Sequence, residues 1–278
     1  TRPLMRLIMS LINKKWASKN IRFTEAEMQT MHNKFWGKNG TPEIEAWSLD
    51  HQVTSALVKR CREEKVTVNS ALWTAFLVAQ YEVQQDHLPY RSRSVMAVNT
   101  REKLLNPAGE SFGFFASSLT VNLGYSPKKR FWENARRIHA KINRELDRTN
   151  LFRMLVSNEI HPTLLDALYF QKYGMLNESI AAKFLKKMGW HKVTYGCALT
   201  NVGRLDIPVC YGPLEIEAVH GPLFYSDVEE KMIGVITVGG RLSFLMGCSE
   251  KMSRTTKQIR EKAMSNLEEA VGGSDRNS

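Results

Sequence analysis

The residues that could do chemistry are few. Seven histidines are present, His32, His51, His87, His139, His161, His191 and His220, and none falls in an H-E-x-x-H pattern. No P-loop or G-x-G-x-x-G sequence occurs either. A general base needs a partner that sets its tautomer, and no spacing here identifies one. His139 sits beside an apolar helical stripe and reads as packing, while His220, before Gly221-Pro222, reads as a turn residue. Ser117 and Ser118 would expose their hydroxyls on opposite faces of a strand, yet a hydroxyl without a histidine at recognisable spacing is a poor nucleophile. Their small size fits room for a ligand or close packing. Cys61, Cys197, Cys210 and Cys248 form no C-x-x-C pair, so neither a disulfide frame nor a structural metal is signalled, and reduced thiols in a cytoplasmic setting are expected.

Charge points to anionic partners. Lys plus Arg number 39 against 28 Asp plus Glu, a formal +11 that suits coenzyme A, an acidic carrier protein, nucleic acid or acidic lipid. The basic clusters at 128–130, 136–137 and 183–192 lie on or beside amphipathic helices and read first as solvated faces. Without interleaved aromatic platforms, nucleic acid ranks last. No apolar run approaches the ~20 residues of a membrane helix, so no span is expected.

The elements that must position these residues follow from periodicity. A helix is expected over 4–16, then an irregular connector over 20–42 containing Gly37-Lys38-Asn39-Gly40-Thr41-Pro42. A strand at 43–47 leads to a helix capped by Asp50, and Thr67 caps a second helix whose apolar positions run around most of the cylinder. Strands are expected at 93–99, 112–123, 193–201, 214–220, 232–238 and 241–246, the last two joined by Gly239-Gly240 as a two-residue hairpin. Helices are expected at 131–146, near 164–170 and 179–188, and at 251–270. Mixed strands and helices without strict alternation predict an α+β fold, with helices packed on a mixed or antiparallel sheet.

Three segments together carry a recognisable signature. They are Ser48-Leu49-Asp50 through Thr67-Val68-Asn69-Ser70-Ala71-Leu72, then Val98-Asn99-Thr100-Arg101 followed by Gly113-Phe114-Phe115-Ala116-Ser117-Ser118, then Thr200-Asn201-Val202-Gly203-Arg204-Leu205. In order and spacing, over roughly 43–271, the chain resembles the second lobe of the condensation-domain-like, coenzyme-A-dependent acyltransferase superfamily. Alcohol acetyltransferases and mycobacterial polyketide-associated acyltransferases are the nearest types.

The resemblance implies a chloramphenicol-acetyltransferase-like lobe, one of two forming a V around a tunnel where acyl donor and acceptor meet. Residues 1–42 would then be the end of the first lobe and a crossover, 43–271 the C-terminal lobe, and 272–278 a disordered tail. The superfamily's base is the second histidine of an H-H-x-x-x-D-G motif in the first lobe. That motif is absent from this sequence, so no catalytic residue is expected in it.

By the same resemblance, Arg101 matches the arginine that pairs with the motif's aspartate, and Asn201 and Gly203 match the strand end bordering the tunnel. Ser117 and Ser118 stand where many condensation domains have Asn-Thr. The implied donor is an acyl-CoA or acyl carrier-protein thioester, with no bound cofactor or metal. The implied acceptor is a small alcohol or amine, and the implied partner is the missing N-terminal lobe. The rival reading is a non-catalytic binding or scaffold module on the same fold.

Overall fold

The computed structural model describes residues 3–86, 88–147, 151 and 159–272. His87 and the tail residues 273–278 lie outside the described residues, while Gly272, expected in that tail, ends the last helix.

The core is a six-stranded mixed sheet in the order β1-β8-β7-β4-β2-β3. Its strands are β1 (Pro42–Leu49), β2 (Arg93–Asn99), β3 (Ala116–Asn122), β4 (Cys197–Arg204), β7 (Lys231–Val238) and β8 (Arg241–Ser249). β2, β4 and β7 are parallel, so their carboxyl ends share one edge of the sheet, and the other pairings are antiparallel. The β7–β8 turn is the expected hairpin, with Gly239 and Gly240 both at positive φ (+54° and +77°), where side chains with a Cβ are strained.

One face of the sheet is covered by α3 (His51–Glu63), α4 (Val68–Gln84), α5 (Phe131–Glu145) and α8 (Ser253–Gly272). The side chain of Asp50 accepts the Val53 N–H at 2.8 Å and that of Thr67 accepts the Ser70 N–H at 3.2 Å, so both helices begin where their caps satisfy orphan donors. Every residue of α4 from Ser70 to Gln80 is buried, because α5 and α8 flank it above the sheet. Met96, Leu119, Leu199, Val235 and Phe244 point into this layer.

The opposite face carries α1 (Pro3–Ala17), α2 (Glu25–Asn39), α6 (Pro162–Lys172) and α7 (Ser179–Met188), with a strap from 216 to 230. Met9 and Trp16 pack on Leu164, Ala167 and Ala181, and Trp16 Nε1 donates to Thr163 Oγ1 at 2.9 Å. The first 42 residues therefore fold onto helices of the segment that follows them.

Two expectations are corrected. The connector over 20–42 contains α2, started by a capping box in which Thr24 and Glu27 exchange hydrogen bonds. The strand expected at 214–220 is reduced to β6 (Leu214–Glu215), paired with β5 (Cys210–Tyr211) in a separate two-stranded ribbon. Both neighbours of β7 are already taken by β4 and β8, so the chain after Glu215 has no sheet edge to join there and crosses the face as the strap.

Candidate functional site at the carboxyl edge of the parallel strands

A crevice outside the carboxyl ends of parallel strands is where open α/β sheets hold ligands. Here that edge has a cavity of about 500 Å³ between α3 and the ends of β4, β7 and β8. Asn201, Gly203 and Arg204 reach it from β4, and His51, Lys59 and Arg62 from α3. Its lining holds three full cations and a histidine but no carboxylate. Arg204 is paired with Asp206 at 2.7 Å, though both side chains are more than three-quarters exposed, so water screens that pair.

Local structure explains why these residues converge. His51, Ser55, Lys59 and Arg62 recur at intervals of four, four and three along α3, a polar stripe beside the apolar one that buries Thr54, Leu57 and Cys61, and Thr54 and Leu57 reach the inner wall of the cavity. On β4 the register with β7 shifts between Asn201 and Arg204, and Asn201 Oδ1 accepts the Gly203 N–H at 2.8 Å. Gly203 has φ +85° with no atom within 4 Å of where a Cβ would stand. The glycine thus serves a bulge that turns Arg204 outward, and the asparagine amide closes that bulge. Gly240, already called for by its positive φ, also leaves room for the His51 ring, which a Cβ there would meet.

The five residues singled out by sequence do not form one site. Asn201 and Gly203 line the basic cavity. Ser118 points to the other face of the sheet, into a second cavity beneath α6 and α7. The Ser117 hydroxyl is spent on the Leu151 carbonyl. Arg101 starts a 3-10 turn just past β2, where its Nη1 donates to the carbonyls of Gly109 (2.7 Å) and Ser111 (2.9 Å) and its guanidinium lies 4.4 Å from the Phe115 ring centroid. It therefore closes its own loop, residues 104–115. Replacing Arg101 with alanine is expected to cost about 1 kcal/mol of global stability or less, while proteolysis within 104–115 accelerates several-fold. Unchanged cleavage there would contradict the clasp.

His51, Lys59, Arg62 and Arg204 were not singled out by sequence. The signal was present, since polar and basic residues repeat at helical spacing along α3 beside its buried stripe. The basic clusters that were noticed lie elsewhere, and Arg136 among them pairs with Glu64. His139 is half-buried, with Nδ1 3.1 Å from Ser70 Oγ and Nε2 3.0 Å from Asn143, a link between α4 and α5. Burial pushes the Cys61 and Cys197 thiols up to about 12, so neither is a nucleophile near neutrality. Among the described residues no helix is long and apolar enough to cross a membrane, and no group of His, Cys, Asp and Glu could hold a metal.

The family model described as phthiocerol/phthiodiolone dimycocerosyl transferase C-terminus matches residues 38–166. No curated protein matches the sequence. Among solved structures, the epimerization domain from the third module of tyrocidine synthetase B is similar at TM-score 0.57 and 12% identity, 83% of this chain covering 48% of that one. The cyclization-docking bidomain of a nonribosomal peptide synthetase from Sorangium cellulosum is similar at 0.57 and 15%, covering 84% and 42%. Polyketide synthase associated protein 5 from Mycobacterium tuberculosis is similar at 0.52 and 15%, covering 84% and 54%. The chain spans about half the length of these structures. The family match over residues 38–166 and the shared fold are both similar to the C-terminal lobe of condensation-domain-like acyltransferases.

Proposed function

We propose that this lobe is the carboxy-terminal half of an enzyme that moves an acyl group from a coenzyme A or carrier-protein thioester to an alcohol or amine. In that reaction an imidazole takes the acceptor's proton as its oxygen or nitrogen attacks the thioester carbonyl. The tetrahedral intermediate then expels the thiolate, which recovers the proton. The sequence has no adjacent histidine pair, so the imidazole belongs to the other lobe in this reading.

One observation of this chain carries its share of the work. Lys59 and Arg62 on α3, with Arg204 on β4, present cationic side chains around a cavity without a carboxylate. Such a site suits the phosphates borne by coenzyme A and by a carrier protein's phosphopantetheine arm, since guanidinium and ammonium groups bind phosphate through charge-assisted hydrogen bonds. It makes specific the expectation that the positive charge meets the donor.

Calorimetric titration with coenzyme A tests this. Binding should weaken as salt rises, and Lys59→Ala and Arg62→Ala should each lower affinity roughly tenfold, the value of one charge-assisted hydrogen bond of about 1.5 kcal/mol. Affinity unchanged in the double variant would refute the role of the cavity. Joining the chain to a lobe that bears H-H-x-x-x-D-G should yield thioester consumption with alcohol acceptors, whereas binding without turnover would favour the scaffold reading.

A further inference from the structure

The second cavity, about 530 Å³, lies across the sheet from the basic one and is built differently. Val95, Ser118 and Thr120 form its floor, on the face of β2 and β3 opposite Met96 and Leu119. Leu168 of α6 and Leu185 and Met188 of α7 supply apolar walls, and the strap supplies Asp227 and Glu229. Three aromatic rings, Tyr169, Trp190 and Tyr195, also line it. Tyr169 and Trp190 are tilted 41° to each other with centroids 6.5 Å apart.

The charges in this cavity are unequally satisfied. Lys172 and Asp227, with side chains 4% and 7% exposed, are joined at 2.5 Å. Tyr173 donates its hydroxyl to the other Asp227 oxygen, and Asn39 Nδ2 donates to the Tyr173 hydroxyl at 2.9 Å. Asp227 is thus fully engaged, and its pair with Lys172 is neutral as a unit. Lys187 at the mouth is exposed and screened by water. Glu229 differs: its carboxyl is bonded to Ser226 and to its own backbone N–H, but its Oε2 is buried without a hydrogen-bond partner, and burial outweighs those bonds and pushes the carboxyl up. A buried carboxyl in this state is stabilised by an incoming cation, which restores what desolvation removed. The electron-rich rings of Tyr169 and Trp190 favour the same kind of guest, whereas Tyr195 already carries the Arg93 guanidinium 5.0 Å from its centroid.

We propose that this cavity binds an organic ammonium: a primary or secondary amine on an aromatic or branched apolar body, with its nitrogen directed to Glu229. Apolar walls take the body, the rings flank it, and the Glu229 carboxylate takes the charge. The sheet separates this site from the basic cavity, so it is a second ligand site and does not depend on the donor assignment.

Tryptamine and its neutral counterpart tryptophol are the probes, titrated into the 278-residue chain by calorimetry. Tryptamine should bind saturably, with tryptophol at least tenfold weaker. Glu229→Gln should bring tryptamine down to the level of tryptophol while coenzyme A binding stays as before. The rim variant Tyr169→Ala should weaken tryptamine several-fold without disturbing the buried pair. Absence of saturable tryptamine binding, equal affinity for amine and alcohol, or unchanged affinity in either variant would each overturn the proposal. The comparison of the two probes needs no variant, so it stands even if Glu229→Gln does not fold.

Discussion

Replacing Gly234 with alanine is expected to destabilise the chain by about 3 kcal/mol or more, the upper range for overpacking a filled interior. Gly234 lies mid-strand in β7, paired with Thr200 of β4 on one side and Leu245 of β8 on the other. A Cβ there would stand 1.8 Å from the Pro222 carbonyl oxygen and 2.8 Å from its carbon. The obstacle is backbone, and β7 is held on both edges, so the strand cannot yield without breaking ladder hydrogen bonds and the strap would have to lift off the sheet. Gly247 on β8 faces the same strap, but its Cβ would meet the flexible Leu223 side chain at 3.2 Å, a smaller conflict. These two glycines leave the shallow track along which the strap crosses the sheet and delivers Asp227 and Glu229. Gly37→Ala, a helical glycine with nothing within 4 Å of its Cβ position, is the control and should be neutral or slightly stabilising. Urea midpoints measure both, and a Gly234→Ala midpoint equal to the parent's would contradict the packing described.

Glu230→Ala is expected to cost about 3–5 kcal/mol, because it strips the counter-charge from a buried network. The Glu230 carboxylate accepts from Arg91 at 2.8 Å, from Tyr90 at 3.3 Å and from Gln84 at 3.2 Å, and Lys231 Nζ lies 3.5 Å away. Lys231 is 1% exposed, bonded to Gln80 and to the Gly196 carbonyl at 3.0 Å. With Glu230 gone, that ammonium would face the interior with neutral acceptors only. Lys231→Met, which fills the same space without a charge, should cost less. A pH signature accompanies this network. Burial alone would raise the Glu230 carboxyl, but the Lys231 charge and the Arg91 hydrogen bonds outweigh it and hold the carboxyl below its ordinary value. The contribution is therefore present above the ordinary carboxylate range and is lost as pH falls through and below it. The parent should lose stability on acidification more steeply than Glu230→Ala, as denaturant midpoints across pH would reveal. Parallel curves would remove Glu230 from that role.

Local elements were legible where local physics decides them. Asp50 and Thr67 cap the helices they were expected to cap, β2 spans the expected 93–99, and two glycines make the hairpin. The helix α2 was missed because its apolar residues show little periodicity and Gly37 breaks the pattern, although Thr24 and Glu27 spell the capping box that starts it. The strand expected from Phe112 begins only at Ala116, because its partner β2 ends at Asn99, after which Arg101 turns the chain away. Phe112 and Phe114 are left exposed.

By itself the sequence determined the α+β class, the superfamily resemblance, most element positions and that no two histidines are adjacent, since propensity, caps and motif order act over a few residues. Only the tertiary structure decided what each candidate side chain does. Ser117 and Ser118 are neighbours in sequence but alternate across the sheet, one bonded to a carbonyl and the other in a cavity. Lys59 and Arg204 are 145 residues apart yet line one cavity. Glu229 is adjacent to Glu230, but one carboxylate is saturated with donors while an oxygen of the other has none. Which partners a polar group finds depends on strand order and on the path of the strap, and both are set by long-range packing that no local window of residues encodes.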